Sequence, residues 1–343
     1  MQLLLVGLTI VLIGDALAQR VVERDAEPHR SSAESEVSVA GLRAKKITAA
    51  LTFERHLYTK EKIKGDLYSY LSDGLKLYSL VITPNKTSPD DGFPILIFGH
   101  GFHPQPKKYG ITNNGVTRRP GDYYRGIPER YAQEGYLVIA PDYRGHNISE
   151  GFEYTQRDSL SSSYYASDVL HLISALEDLP SANSSQLVYV GHSMGGDVGL
   201  KVMLATNRIK AASLWSPAIG STPQQALYYG RYYDENINAA VDSQKLAEYS
   251  NRINAVYAKL PVAISVKDVD PINHLKHLTT PLIIQHARSD RSAPYQWSED
   301  LVIQMNSLGK EFLFYSYDSK HHLFKGDNLE QAFQRDLTFF DLH

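Results

Sequence analysis

At 343 residues the chain is long enough to bury one large α/β core. A formal net charge of −3, with 35 basic against 38 acidic residues and no basic run, excludes a nucleic-acid or anionic-lipid surface. The absence of cysteine excludes disulfides, zinc–thiolate sites, a thiol nucleophile and a lipoprotein anchor.

Leu3 to Ile13 is an apolar-rich stretch, and Ala16-Leu17-Ala18 follows it as a small-x-small cleavage site. Residues 1–18 are therefore expected to be a secretory signal peptide, although Met1-Gln2 carries no basic side chain. The expected destination is secreted or periplasmic. No later segment offers the run of about 18 apolar residues that a span needs, so no stable membrane insertion is expected after cleavage. Asn85, Asn147 and Asn183 each open an Asn-x-Ser/Thr sequon. Residues 19–46 mix both charges with Ser and Ala without an apolar period, which predicts a flexible leader. Residues 47–343 are expected to form one domain.

That domain opens in a strand-like pattern, and Ser72-Asp73-Gly74 predicts a hairpin turn between Leu67–Leu71 and Leu75–Ile82. Short, continuously apolar runs then recur at 95–98, 137–140, 187–190, 211–215, 282–284 and 312–315. Such runs suit parallel strands covered on both faces. Between them, Tyr165, Val169, Ile173 and Leu176 share one helical face, as do Trp297, Leu301, Met305 and Leu308. Gly309 stops that second helix, and a last one begins near Asn328. Alternating strands and helices predict an α/β, doubly wound, mostly parallel sheet. One interval breaks the rhythm. The chain between Trp215 and Leu282 is far longer than a bare crossover requires. About 221–275 is expected to form an inserted cap, with Tyr228, Tyr229, Tyr232 and Tyr233 lining a pocket.

Gly191-His192-Ser193-Met194-Gly195 is a G-x-S-x-G sequence directly after the run Leu187–Val190 and before a helical pattern at Val198, Val202 and Met203. In that context it predicts a nucleophile elbow with Ser193 as the attacking group. A serine needs a base and an orienting carboxylate, in the chain order Ser, acid, His. Asp290 lies just past one strand end, and His321 and His322 lie past the next. His100 and His103 compete as bases, and Asp268, Asp270 and Asp318 compete as acids. The oxyanion donors are expected to be the backbone N–H groups of Met194 and Phe102, the latter in the loop after the 95–98 strand. His100-Gly101-Phe102-His103 has no acidic partner at ligand spacing, so neither a metal nor a cofactor is expected.

Together these features resemble the α/β-hydrolase catalytic domain of the prolyl oligopeptidase-like serine peptidases and their esterase-like relatives. The resemblance covers about 66–340. It rests on Tyr70–Leu75, Phe98-Gly99-His100-Gly101, Glu134-Gly135-Tyr136, Pro141–Gly145, Gly191–Gly196 and Ser216-Pro217. It continues through Asp270-Pro271-Ile272, Thr280-Pro281-Leu282, Asp290–Pro294 and Tyr317–Phe324. In the family's histidine loop the catalytic residue precedes x-Phe, which places the role on His322 rather than His321. The large peptidases carry a β-propeller ahead of this domain, and the residues between Ala18 and Pro94 are too few for one. The resemblance implies a secreted serine hydrolase acting through an acyl-enzyme on a peptide or small ester. A serine-type peptidase leads, a carboxylic ester hydrolase on small acyl or aryl esters follows, and a catalytically inactive binding protein on the same scaffold comes last.

Overall fold

The apolar runs become the strands of one sheet. A computed structural model describes residues 35–108, 124, 126–155, 160–230, 243–260 and 263–343; the expected signal peptide, Tyr232 and Tyr233 lie outside them. The strands are β1 (Thr52–Thr59), β2 (Ile63–Ser72), β3 (Leu75–Pro84), β4 (Phe93–Gly99), β5 (Leu137–Asp142), β6 (Ala182–His192), β7 (Ile209–Trp215), β8 (Leu282–Ala287) and β9 (Phe312–Tyr317). Among the described residues they form a nine-stranded sheet in the order β1-β2-β3-β5-β4-β6-β7-β8-β9. The hairpin end is antiparallel through the β3–β5 pair. From β5 onward every pair is parallel. Asp73 and Gly74 both take positive φ, 51° and 82°, which is the turn chemistry that a two-residue hairpin demands.

Strand order reverses at β4, which has β5 on one side and β6 on the other. In an open α/β sheet the crevice at such a switch point, at the strands' carboxyl ends, is where ligands bind. Gly99 and His192 end those two central strands.

Alternation along each strand divides the core between the two faces. Ile95, Ile97, Leu187 and Tyr189 pack with α3 (Ser161–Ser174) and α4 (Met194–Ala205). Leu96, Phe98, Val188 and Val190 pack with α2 (Ile127–Gln133) and α9 (Asp327–Asp341). The expected flexible leader does not reach residue 46. Ser38 caps α1 (Val39–Ala44), and Val39 and Leu42 are buried in the first of these clusters. A six-residue helix is too short to show a period in sequence, yet burying two apolar side chains fixes it in place. The 221–275 insertion contains α5 (Thr222–Gly230), α6 (Ser243–Tyr257) and α7 (Val266–Val269). Asp270, at its far end, accepts the Thr222 N–H at 3.0 Å, so the insertion is pinned where it leaves and rejoins the sheet. α8 (Tyr295–Ser307) completes the layers.

One buried carboxylate gathers the sheet's carboxyl ends. Asp336 of α9 is fully buried and accepts from Tyr131 Oη at 2.6 Å, Trp215 Nε1 at 2.9 Å, Ser213 Oγ at 2.6 Å and Gln285 Nε2 at 2.7 Å. Burial outweighs these donors and pushes its carboxyl from the ordinary 3.8 up to about 7. The unfolded chain then releases this proton before the folded one does. Wild-type stability, measured by urea unfolding, should therefore fall relative to Asp336→Asn as pH rises from about 4 to about 7. The slope should be at most about 1.4 kcal/mol per pH unit, flattening above pH 7. A stability difference that stays constant across this window would contradict a carboxyl held neutral.

Candidate active site

The nucleophile candidate sits where β6 reverses into α4. Ser193 has φ 56° and ψ −121°, a left-handed geometry that costs a non-glycine residue about 1–3 kcal/mol. Its N–H donates to Trp215 O at 3.0 Å, and its carbonyl accepts from Gly196 N and Ala218 N at 2.9 and 3.0 Å. The flanking glycines are steric necessities. A Cβ on Gly191 would lie 2.5 Å from Gly195 O, and one on Gly195 would collide with the Gly99 carbonyl. From below, Tyr189 Oη donates to Gly195 O at 2.7 Å.

Asp290 and His322 are brought together from two separate strand ends. His322 Nδ1 lies 2.7 Å from Asp290 Oδ2. The other carboxylate oxygen accepts the Ser292 and Ala293 N–H groups at 2.7 and 3.1 Å, which fixes the carboxylate's plane. Burial would raise the Asp290 carboxyl, but hydrogen bonding to His286 and His322 outweighs it and holds the group well below the usual carboxylate range. His286 was not singled out in the sequence. It is fully buried, with Nε2 3.3 Å from Asp290 Oδ2 and 3.1 Å from Ala293 O. Facing two acceptors, Nε2 must carry a proton, and Nδ1 lies 2.7 Å from Ser298 Oγ. Its signal was its place on β8, four residues before the acid.

The link from His322 to Ser193 runs through the neighbour of the serine. The rings of His192 and His322 are 4.4 Å apart, and His192 Nε2 lies 3.0 Å from the His322 carbonyl oxygen. Among the described residues no hydrogen bond joins Ser193 Oγ to His322. Such bonds commonly tighten only once substrate binds. The rival residues point elsewhere. His321 is exposed, with its backbone N–H on Ser319 Oγ. His100 stacks on Tyr143 at 4.2 Å and is pushed by burial to about 4. His103 Nδ1 accepts from Gln105 N. Asp268 closes a capping box with Ser265, Asp270 holds Thr222, and Asp318 is exposed.

On the oxyanion side, Met194 is the first residue of α4, where the N–H groups have no intrahelical acceptor and the helix dipole adds positive potential. Gly101 comes against the serine, since a Cβ on it would lie 3.0 Å from Ser193 Cβ and 2.7 Å from Tyr124 Oη. Phe102, the next residue, has a half-exposed side chain. Tyr228 and Tyr229 pack edge-on against the buried Trp297 at 5.5 and 5.8 Å, and Tyr228 Oη donates to Arg291 O at 2.6 Å. They thus anchor the insertion to the acid loop. Among the described residues no group of His, Cys, Asp and Glu could hold a metal ion, and no helix is long and apolar enough to cross a membrane.

The tightness of the elbow is testable on its own. Gly195→Ala should lower thermal stability by about 1–3 kcal/mol, because the methyl meets the backbone of β4 rather than a movable side chain. An unchanged melting temperature would mean that the two backbones do not approach this closely.

Residues 123–343 match the model of the prolyl oligopeptidase family. The chain is 24% identical over 256 residues to the uncharacterized peptidase YtmA of Bacillus subtilis, covering 74% of this chain and 84% of that one. Among solved structures, a putative dipeptidyl aminopeptidase IV from Bacteroides ovatus superimposes with a TM-score of 0.61 at 17% identity, over 82% of this chain and 36% of that one. This chain therefore spans about a third of that peptidase's length. Acetyl xylan esterase 1 from a Thermoanaerobacterium species superimposes with a TM-score of 0.59 at 16% identity, over 94% and 97% of the two chains.

Proposed function

The chain belongs to the prolyl oligopeptidase family of serine hydrolases, and from that premise we propose that it is a serine-type peptidase working through an acyl-enzyme, with Ser193, His322 and Asp290 as its triad. One observation carries the assignment: His322 Nδ1 meets Asp290 Oδ2 at 2.7 Å, beside a serine held in a strained strand-to-helix turn. In this reading Ser193 Oγ attacks the substrate carbonyl carbon while His322 Nε2 takes the hydroxyl proton. The N–H groups of Met194 and Phe102 receive the oxyanion charge. Collapse of the tetrahedral intermediate expels the amine, which takes the proton back from His322 and leaves an ester on Ser193. Water then repeats the sequence with His322 as base. Asp290, kept ionised, holds the imidazole tautomer and stabilises the imidazolium as it forms. No cofactor enters this chemistry.

The reading as a carboxylic ester hydrolase is favoured by one specific observation. An acetyl xylan esterase shares the fold at a TM-score of 0.59. Both reactions pass through the same intermediate, so the triad does not separate them. Export through residues 1–18 belongs to the proposal and is supported by the apolar stretch and the Ala16-Leu17-Ala18 site.

Ser193→Ala should retain its fold and lose turnover by at least about three orders of magnitude; Asp290→Asn should lose about 10⁴-fold in kcat. Both are read on a panel of p-nitrophenyl esters and aminoacyl-p-nitroanilides. Nitroanilide hydrolysis abolished by Ser193→Ala supports the peptidase. Hydrolysis confined to the esters moves the assignment to the esterase. Turnover that survives Ser193→Ala would overturn both.

A further inference from the structure

Three loops meet at the site through hydrogen bonds that acyl transfer itself does not use. The Gly101 N–H, in the loop after β4, donates to Tyr124 Oη at 2.7 Å. Tyr124 Oη lies 2.5 Å from His192 Nδ1, and His192 Nε2 lies 3.0 Å from the His322 carbonyl oxygen. The proton positions along this chain follow from its two ends. A carbonyl oxygen only accepts, so His192 Nε2 carries a proton. His192 is fully buried, and burial, reinforced by the neighbouring His322 ring, holds it well below the ordinary imidazole range. It is therefore neutral, and Nδ1 presents a lone pair. Tyr124 must donate to that lone pair, which leaves its oxygen to accept from Gly101.

We propose that Tyr124 and His192 are positioning residues, forming a strap that fastens the oxyanion loop and the His322 loop onto the nucleophile elbow. The proposal rests on the serine-hydrolase reading and adds the parts that hold its three loops in register. Asp290 fixes one edge of the His322 ring, but a single hydrogen bond leaves the ring free to swing about it. The His192 bond to the His322 carbonyl fixes the backbone from which that ring hangs. At the other end, Tyr124 holds Gly101, and with it the adjacent Phe102 N–H, against Ser193. The neutral state of His192 has a second use. With the two rings 4.4 Å apart, a charged His192 would oppose the imidazolium that His322 becomes as it takes the serine proton. The tyrosine hydroxyl keeps the imidazole in the tautomer that is neutral and still donates to the His322 loop. A misplacement of about 1 Å at a reacting centre is enough to cost about 100-fold in rate.

The test is steady-state kinetics on p-nitrophenyl acetate with the wild type, Ser193→Ala, Tyr124→Phe, His192→Leu and the Tyr124→Phe/His192→Leu double variant, with unfolding midpoints measured for each. Tyr124→Phe removes one hydroxyl and should lower kcat by about 10- to 100-fold, with KM within about threefold and an unfolding midpoint near that of the wild type. His192→Leu breaks the same strap, so the double variant should be no slower than the slower single variant. Losses that multiply in the double variant, a Tyr124→Phe effect carried by KM, or an unchanged kcat would overturn the proposal. The parent reading fails separately, if wild-type turnover is absent or survives Ser193→Ala. Should His192→Leu fail to fold, the kcat and KM of Tyr124→Phe alone decide.

Discussion

The chain has to turn from β6 into α4 within a single residue, and there is no room for a side chain on either flank of that turn. Ser193 absorbs the reversal at φ 56°, held by Trp215 O on one side and by Gly196 and Ala218 on the other. Gly195 lies against the backbone of Gly99, so the first turn of α4 touches the end of β4. This contact puts the serine at the switch point of the sheet, where β4 and β6 part. The same geometry places the first N–H groups of α4 beside Gly101. The oxyanion side of the proposed site is therefore a product of the turn rather than an addition to it.

Charge around the elbow follows from burial. His100 is pushed to about 4, and His146 and His192 lie well below the imidazole range, in each case chiefly because their rings are removed from water. His322 differs by its partner, since Asp290 is ionised and oriented by two backbone N–H groups. A proton arriving at His322 meets a fixed carboxylate and neutral imidazoles. Further out, the insertion is tied down at Trp297 and at Thr222, within reach of the acid loop and the nucleophile elbow.

The sequence made the strands from β4 to β8 legible because both their faces are covered, which leaves continuous apolar runs; β9, at the sheet edge, keeps such a run although most of it is only half-buried. β1 carries no such run: it is largely exposed, irregularly paired and without a period. α1 escaped because two buried apolar side chains in six residues do not make a pattern. At the site, Ser193, Asp290 and His322 were legible because each stands just past a strand end. His192 lay in plain view inside the G-x-S-x-G sequence, but its partners, Tyr124 and His322, stand 68 and 130 positions away along the chain. Tyr124 has no local signature at all; only the folded chain brings its hydroxyl to Gly101 and His192. Tyr228 and Tyr229, expected to line a pocket, pack against Trp297 of α8, a partner that sequence alone could not supply.

The central claim is that the hydroxyl at the elbow is the reacting atom. Labelling the intact protein with a fluorophosphonate and mapping the adduct by peptide mass spectrometry tests it most directly. The reagent needs an activated serine and no knowledge of the natural substrate. The account predicts one stoichiometric adduct, on Ser193. An adduct on any other residue, or none on a folded protein, would contradict it.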